Sequence, residues 1–174
     1  ILKKKKIDQI NLVVFSLSTA YLEKMNKDKF FTKRIKQIFY LDPSLKVSDL
    51  NWSMSIFKKE KKQFKKYIRL YKKNLRKIFP LGLNNRNLKI DKILKMMKNF
   101  DDEVLFKLNR ESVEVILKKK LANIFNNTKK FYLFPYNKKL QLKGKSKKYY
   151  IKNSKHYIFL DNPKQTYSII AKNA

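Results

Sequence analysis

The sequence predicts an α+β chain, with a mostly helical N-terminal two-thirds followed by a helix-turn-helix packed on a small antiparallel sheet. Three observations lead there. Apolar residues across 54–79 recur at spacings of three, four and seven, the period of a helix that buries one face. Beyond Lys138 the pattern changes to short runs rich in Tyr, Ile and Phe, the composition of strands. Lys143-Gly144 lies between two such runs and suits a hairpin turn. Helices first and strands after imply an α+β arrangement rather than an alternating one.

Residues 8–40 read as two helices, around 12–25 and 30–39. Asp42-Pro43-Ser44 is a turn signal, and Ser48 or Asp49 can cap the next helix. The helix across 54–79 carries Phe57, Phe64, Ile68, Tyr71, Leu75 and Ile78 on one face, and Pro80 with Gly82 ends it. After a loop at 84–87, a second helix covers 88–100. A third covers 101–121, with Asn109-Arg110 as its weak point. Leu140-Gln141-Leu142 alternates, and 149–151 and 157–160 look like strands. The expected division is an N-terminal helical extension (1–47), a basic helical region (48–109), a helix-turn-helix plus hairpin module (110–162) and a tail (163–174).

Composition narrows the partner. Lys and Arg total 44 against 13 acidic residues, a net charge of +31 on 174 residues. Such an imbalance opposes the compact state through self-repulsion, so a polyanion that neutralises it is expected. Hydrophobic residues make up 43% and aromatics 14%, enough to bury a core and inconsistent with a disordered basic tail. Lys, Asn, Ile, Phe and Tyr have AT-rich codons, which points to an AT-rich, organellar genome, with the mitochondrion the expected location. The chain has no cysteine, which removes disulfides and thiolate metal sites. Its most apolar stretch, 12–22, is shorter than a membrane span and is broken by Ser16, Ser18 and Thr19. With Lys3 to Lys6 ahead of it, that stretch imitates a signal peptide but shows no clear cleavage pattern.

Catalytic constellations are not evident at this level. His156 is the one histidine, with no second His or Cys to join it, and reads as structural or surface. Asp101, Asp102 and Glu103 sit where a helix begins and favour its positive end, while Glu111 and Glu114 lie near lysines that can pair with them. Gly82 and Gly144 are too far apart to build a phosphate-cradling loop. No catalytic residue, metal or cofactor is expected. By contrast, the 54–79 helix is cationic nearly all round its polar face, with only Glu60 in opposition. Like charges at i,i+4 weaken a free helix, so phosphate contact is the expected reason for them. Lys58, Lys62, Lys65, Arg69, Lys72 and Arg76 are the candidate contacts there.

The second half carries Val113-Glu114-Val115-Ile116-Leu117, Leu121-Ala122, then Leu140-x-Leu142-Lys143-Gly144-Lys145, and finally Ile151-Lys152-Asn153-Ser154 before Ile158-Phe159-Leu160. In that order these features resemble the RNA-binding module of the fourth protein of the small ribosomal subunit. The chain departs from that family in its second helix, where Thr128-Lys129-Lys130 replaces an Ala-Arg pair, and at Phe134-Pro135-Tyr136, where His-Gly is usual. The resemblance implies ribosomal RNA gripped by Lys118, Lys119, Lys120, Asn123, Asn126, Asn127, Thr128, Lys129 and Lys130, with Lys143 and Lys145 on the hairpin.

The functional expectation is therefore a non-catalytic constituent of an organellar small ribosomal subunit. Its expected partners are ribosomal RNA and neighbouring ribosomal proteins, with no small-molecule substrate and no membrane insertion. Two alternatives are a basic accessory subunit of a membrane complex and the RNA-binding module of an RNA-modifying enzyme.

Overall fold

The computed structural model describes residues 6–85, 90–118, 128–136, 138 and 146–174. Its described strands are β1 (Ile10–Phe15), β2 (Ile35–Leu41), β3 (Lys129–Pro135) and β4 (Lys147–Ile151). They form one sheet in the order β1-β2-β3-β4, and every neighbouring pair is parallel. This corrects the expected α+β arrangement with an antiparallel sheet. The sheet brings both ends of the chain into one layer, and residues 12–15 and 35–39, expected to be helical, are its first two strands.

The physical reason lies in two-sided burial. A strand covered on both faces reads as a near-continuous apolar run, and over a short span such a run cannot be told from a buried helix by period alone. Within β2 every residue except Lys36 is buried. Side chains alternate across it. Ile38 and Tyr40, with Tyr132 and Phe134 of β3, join one core that includes Leu22, Val113 and Ile116. Phe39 and Leu41, with Phe131, Leu133 and Ile151, join the opposite core with Ile158. In-register pairing places Phe39 beside Phe131 and Tyr40 beside Tyr132, with ring centroids 4.9 and 4.6 Å apart and nearly parallel planes. Each stack contributes about 0.5–1.5 kcal/mol beyond its buried area.

Between β1 and β2 run a 3-10 turn (Ser16–Ala20), α1 (Tyr21–Met25) and α2 (Lys29–Thr32). Asp28 starts α2 by accepting from the N–H groups of Phe30 and Phe31. Between β2 and β3 lie α3 (Asn51–Phe57), α4 (Lys61–Lys73), α5 (Leu75–Ile78), α6 (Asp91–Lys98) and α7 (Asp102–Lys118). The single helix expected across 54–79 is thus three. The Gln63 side chain accepts from the Glu60 N–H and starts α4, and the Asn74 side chain donates to the Leu70 carbonyl and ends it. Ile56, Phe64 and Ile68 form one small core here, and Leu75, Phe79, Leu83 and Leu94 form another. After β4 come α8 (Ile158–Asp161) and α9 (Pro163–Asn173), so the strand expected at 157–160 is a helical turn. Among the described residues no helix is long and apolar enough to cross a membrane.

Tyr40 is fully buried and its hydroxyl has no hydrogen-bond partner among the described residues. Burial first, and then the neighbouring Tyr132, hold its phenol far above the ordinary tyrosine range, and burial pushes that of Tyr132 up to about 12. An unpaired buried hydroxyl costs about 1–3 kcal/mol. Tyr40→Phe keeps the stack on Tyr132 and removes that cost, so we expect a higher melting temperature in thermal denaturation. A fall of several degrees would mean the hydroxyl is satisfied in solution.

Candidate active site

Open parallel sheets bind ligands beyond the carboxyl ends of their strands, and this edge collects the chemistry here. The backbone leaves β1 at Phe15 and turns at once into the 3-10 segment. Ser16, at that corner, has φ of 49°, in the left-handed region that an L side chain adopts only at a cost. Several hydrogen bonds fix the corner, among them one from the Ser18 hydroxyl to the Phe15 carbonyl. The Phe15 N–H donates to Ser18 Oγ at 3.0 Å, Thr19 Oγ1 donates to the Ser16 carbonyl at 2.7 Å, and the Ser44 N–H donates to that same carbonyl at 3.2 Å. Strained residues that their surroundings over-determine cluster at functional sites.

Asp42 follows β2 directly and also has positive φ, 37°. Its N–H donates to the Leu133 carbonyl at 2.8 Å, which seats the carboxylate at the same edge. Oδ2 of this carboxylate lies 2.7 Å from Nδ1 of His156, which follows β4, and Oδ1 lies 2.8 Å from Nζ of Lys138, which follows β3. Asp42 is only 6% exposed. The buried carboxylate therefore has a cation on one oxygen and an imidazole nitrogen on the other, which leaves the second ring nitrogen for other chemistry. The ring of His156 packs 4.8 Å from that of Phe15, beside the Ser16 corner.

Ser16 and His156 both line a cavity of about 770 Å³, walled mainly by apolar side chains such as Leu17, Trp52, Phe79 and Tyr157. The cavity lies under α3–α7, which act as its roof. Lys72 reaches it but is held by Asp102 at 2.6 Å. Gly82 forms part of the wall, and a Cβ there would lie 2.6 Å from Cε2 of Tyr157. That ring is itself wedged 4.5 Å from Phe79 and 5.7 Å from Phe15. Gly82→Ala is thus expected to destabilise by about 1–3 kcal/mol, as overpacking does, and to disturb the ring next to His156. A melting temperature equal to that of the wild type would refute this.

The residues expected to grip RNA are spread over separate elements. Lys58 follows α3; Lys62, Lys65, Arg69 and Lys72 are on α4; Arg76 is on α5. Lys118 ends α7, Thr128 precedes β3, and Lys129 and Lys130 open that strand. Lys129 sits over the Phe131 ring at 5.2 Å. Lys130 is 8% exposed, and burial lowers its pKa. Lys119, Lys120, Asn123, Asn126, Asn127, Lys143 and Lys145 lie outside the described residues. The acidic cluster meets the cationic helices: Lys61 pairs with Glu103 at 2.6 Å, Lys72 with Asp102, and Arg76 with Asp91 at 2.7 Å. The Glu103 carboxyl is held below its ordinary value, first by the hydrogen bond from Lys61 and then by its charge. Glu111 pairs with Lys24, from α1.

Sequence reasoning assigned no catalytic role to Ser16, Asp42 or His156. One signal was present: Val14-Phe15-Ser16-Leu17-Ser18 follows a strand, and Ser, Asp and His then occur in the chain order of serine hydrolases built on α/β sheets. Val14 and Ser18 stand where that pattern has glycines, which hid it.

No family model matches the chain, and comparison with curated proteins finds no match. Solved structures do match. Wild-type Cfl2 from Burkholderia cenocepacia superposes with a TM-score of 0.72 at 11% identity, over 99% of this chain and 67% of that one. The esterase EaEST from Exiguobacterium antarcticum gives 0.65 at 10% identity, over 99% and 69%. MGS-M2, an α/β hydrolase from a Medee basin deep-sea metagenome library, gives 0.60 at 14% identity, over 98% and 66%. The chain spans about two thirds of the length of each. These neighbours and the parallel sheet overturn the resemblance to the small-subunit ribosomal protein, and with it the reading as a non-catalytic ribosomal constituent. They equally overturn its expected partners, ribosomal RNA and ribosomal proteins in place of a small molecule. The module's order of features was matched on short motifs, whereas three-dimensional pairing places β3 and β4 side by side in a parallel sheet. The fold is that of the α/β hydrolases.

Proposed function

We propose that this chain is a serine hydrolase acting on small apolar esters, with Ser16 as nucleophile, His156 as general base and acid, and Asp42 as the residue that positions His156. The observation that carries this reading is the convergence at one sheet edge. A strained serine at a strand-to-helix corner shares a cavity with a histidine whose Nδ1 is 2.7 Å from a buried carboxylate. The cavity volume, about 770 Å³, lies in the range of small-molecule sites.

In this mechanism Asp42 accepts the Nδ1–H of His156, so Nε2 is the basic nitrogen. Ser16 Oγ attacks the ester carbonyl as Nε2 takes its proton. The tetrahedral intermediate collapses, the alcohol leaves with that proton, and an acyl group remains on Ser16. Water, deprotonated by Nε2, then attacks the acyl carbon, which releases the acid and restores the serine. The Leu17 N–H, directly after the nucleophile, is by position the donor to the oxyanion. Trp52, Phe79 and Tyr157 exclude water from the acyl chain.

A fluorophosphonate probe tests the reading directly. Peptide mass spectrometry is expected to find one phosphonylated residue, Ser16, together with turnover of p-nitrophenyl butyrate. Absence of both would overturn the proposal.

A further inference from the structure

The faces of α4 differ in what they meet. Phe64, Ile68 and Tyr71 turn to the small core that also holds Ile56. On one flank Lys61 and Lys72 are neutralised by Glu103 and Asp102 of α7. The outward face carries Lys62, Lys66, Arg69 and Lys73, spaced four, three and four residues and so aligned along one side of the helix. All four are exposed, and none has a hydrogen bond or ion pair among the described residues. Like charges at this spacing weaken the helix that bears them, and a partner of opposite charge removes that cost.

Charge is only half of this surface. Leu70 lies among the cations, four residues after Lys66 and three before Lys73, and is 61% exposed. It also lines a hollow of about 280 Å³ with Tyr67, Tyr71, Asn74, Lys77 and Ile78. We propose that the outward face of α4 docks on an anionic lipid surface. Lys62, Lys66, Arg69 and Lys73 meet the headgroups, and Leu70, with the hollow beside it, meets the acyl boundary. A nucleic acid would satisfy the cations and leave Leu70 in water. A bilayer with anionic headgroups supplies a negative potential and, beneath it, an apolar layer within side-chain reach. Ile68, Tyr71 and Lys72 of the same helix line the main cavity, so docking holds that cavity within one helix diameter, about 10 Å, of the membrane. The docking does not depend on the hydrolase reading.

The experiment measures sedimentation of the full chain with vesicles of phosphatidylcholine, alone or with about 30% phosphatidylglycerol as the anionic lipid. Each cation near an anionic surface strengthens binding about fivefold, so replacing all four with Gln is expected to lower partition onto the mixed vesicles by about a hundredfold or more. Because the four side chains are exposed and unpaired, circular dichroism and the melting temperature of this quadruple variant are expected to match the wild type. The chain has no cysteine, so Leu70→Cys accepts a single environment-sensitive fluorophore. Its emission is expected to shift to the blue on the mixed vesicles and not on phosphatidylcholine alone. The same label at Lys164→Cys, exposed on α9, is expected not to shift. Equal partition onto both vesicles, partition unchanged in the quadruple variant, or a label at position 70 that stays in water overturns the proposal. Binding of oligouridylate with no binding of vesicles also overturns it and makes the face a nucleic-acid site. Fluorophosphonate labelling of Ser16 is read separately, so the failure of either proposal leaves the other standing.

Discussion

Ser16→Ala is expected to lower ester turnover by roughly 10⁴-fold or more and to abolish fluorophosphonate labelling, with KM little changed. In the proposed mechanism this hydroxyl forms the acyl intermediate, while the apolar walls of the cavity do not involve it. A paired substitution separates chemistry from folding. Ser16 holds φ of 49°, which glycine adopts without the steric cost an L side chain meets. Ser16→Gly is therefore expected to be as inactive as Ser16→Ala and more stable than the wild type by about 0.5–1 kcal/mol, measured by chemical denaturation. Loss of stability in Ser16→Gly would show that the corner is not strained for function. Residual wild-type turnover in either variant would remove Ser16 from the mechanism.

Asp42→Asn is expected to reduce kcat by about 10⁴-fold while KM stays within a few-fold of the wild type. The amide nearly matches the carboxylate in shape, but its NH₂ group can donate to Nδ1 of His156. That fixes the tautomer whose Nε2 carries the proton and cannot accept one from Ser16. A merely structural role would move stability and KM together and spare kcat. Lys138→Met provides the contrast. Lys138 bonds the other oxygen of Asp42 at 2.8 Å and approaches Asp49 at 3.5 Å, so it holds the carboxylate rather than the imidazole. Its removal leaves the 2.7 Å Asp42–His156 contact available and is expected to cost activity far less than Asp42→Asn. Equal losses in the two variants would place Lys138 within the catalytic unit.

Local pattern was enough for some elements and not for others. The spacing of Phe64 and Ile68 marked a buried helix face, and both are buried on α4. The turn signal at Asp42-Pro43-Ser44 fell where β2 ends. The strands misled because Leu12-Val13-Val14-Phe15 and Ile38-Phe39-Tyr40-Leu41 are uninterrupted apolar runs that a buried helix also shows; in β2 burial on both faces accounts for the lost alternation. Asp42 read as a turn former and His156 as an isolated side chain for a related reason. Each residue's local context is complete without the other, and the bond between them spans 114 positions of sequence.

By itself the sequence determined that this chain buries an apolar core, that it carries +31 of net charge, and that amphipathic helices occupy its middle. These are properties of composition and of short-range period, and each is fixed within a few turns of chain. The tertiary structure alone decided that the strands run parallel in the order β1-β2-β3-β4, and that Asp102, Glu103 and Asp91 meet lysines and an arginine of α4 and α5. It also decided that Ser16, Asp42 and His156 share one edge. Sheet pairing is a long-range hydrogen-bonding choice made across intervening helices. The arrangement proposed as catalytic, assembled from three strand ends, comes into being only when that choice has been made.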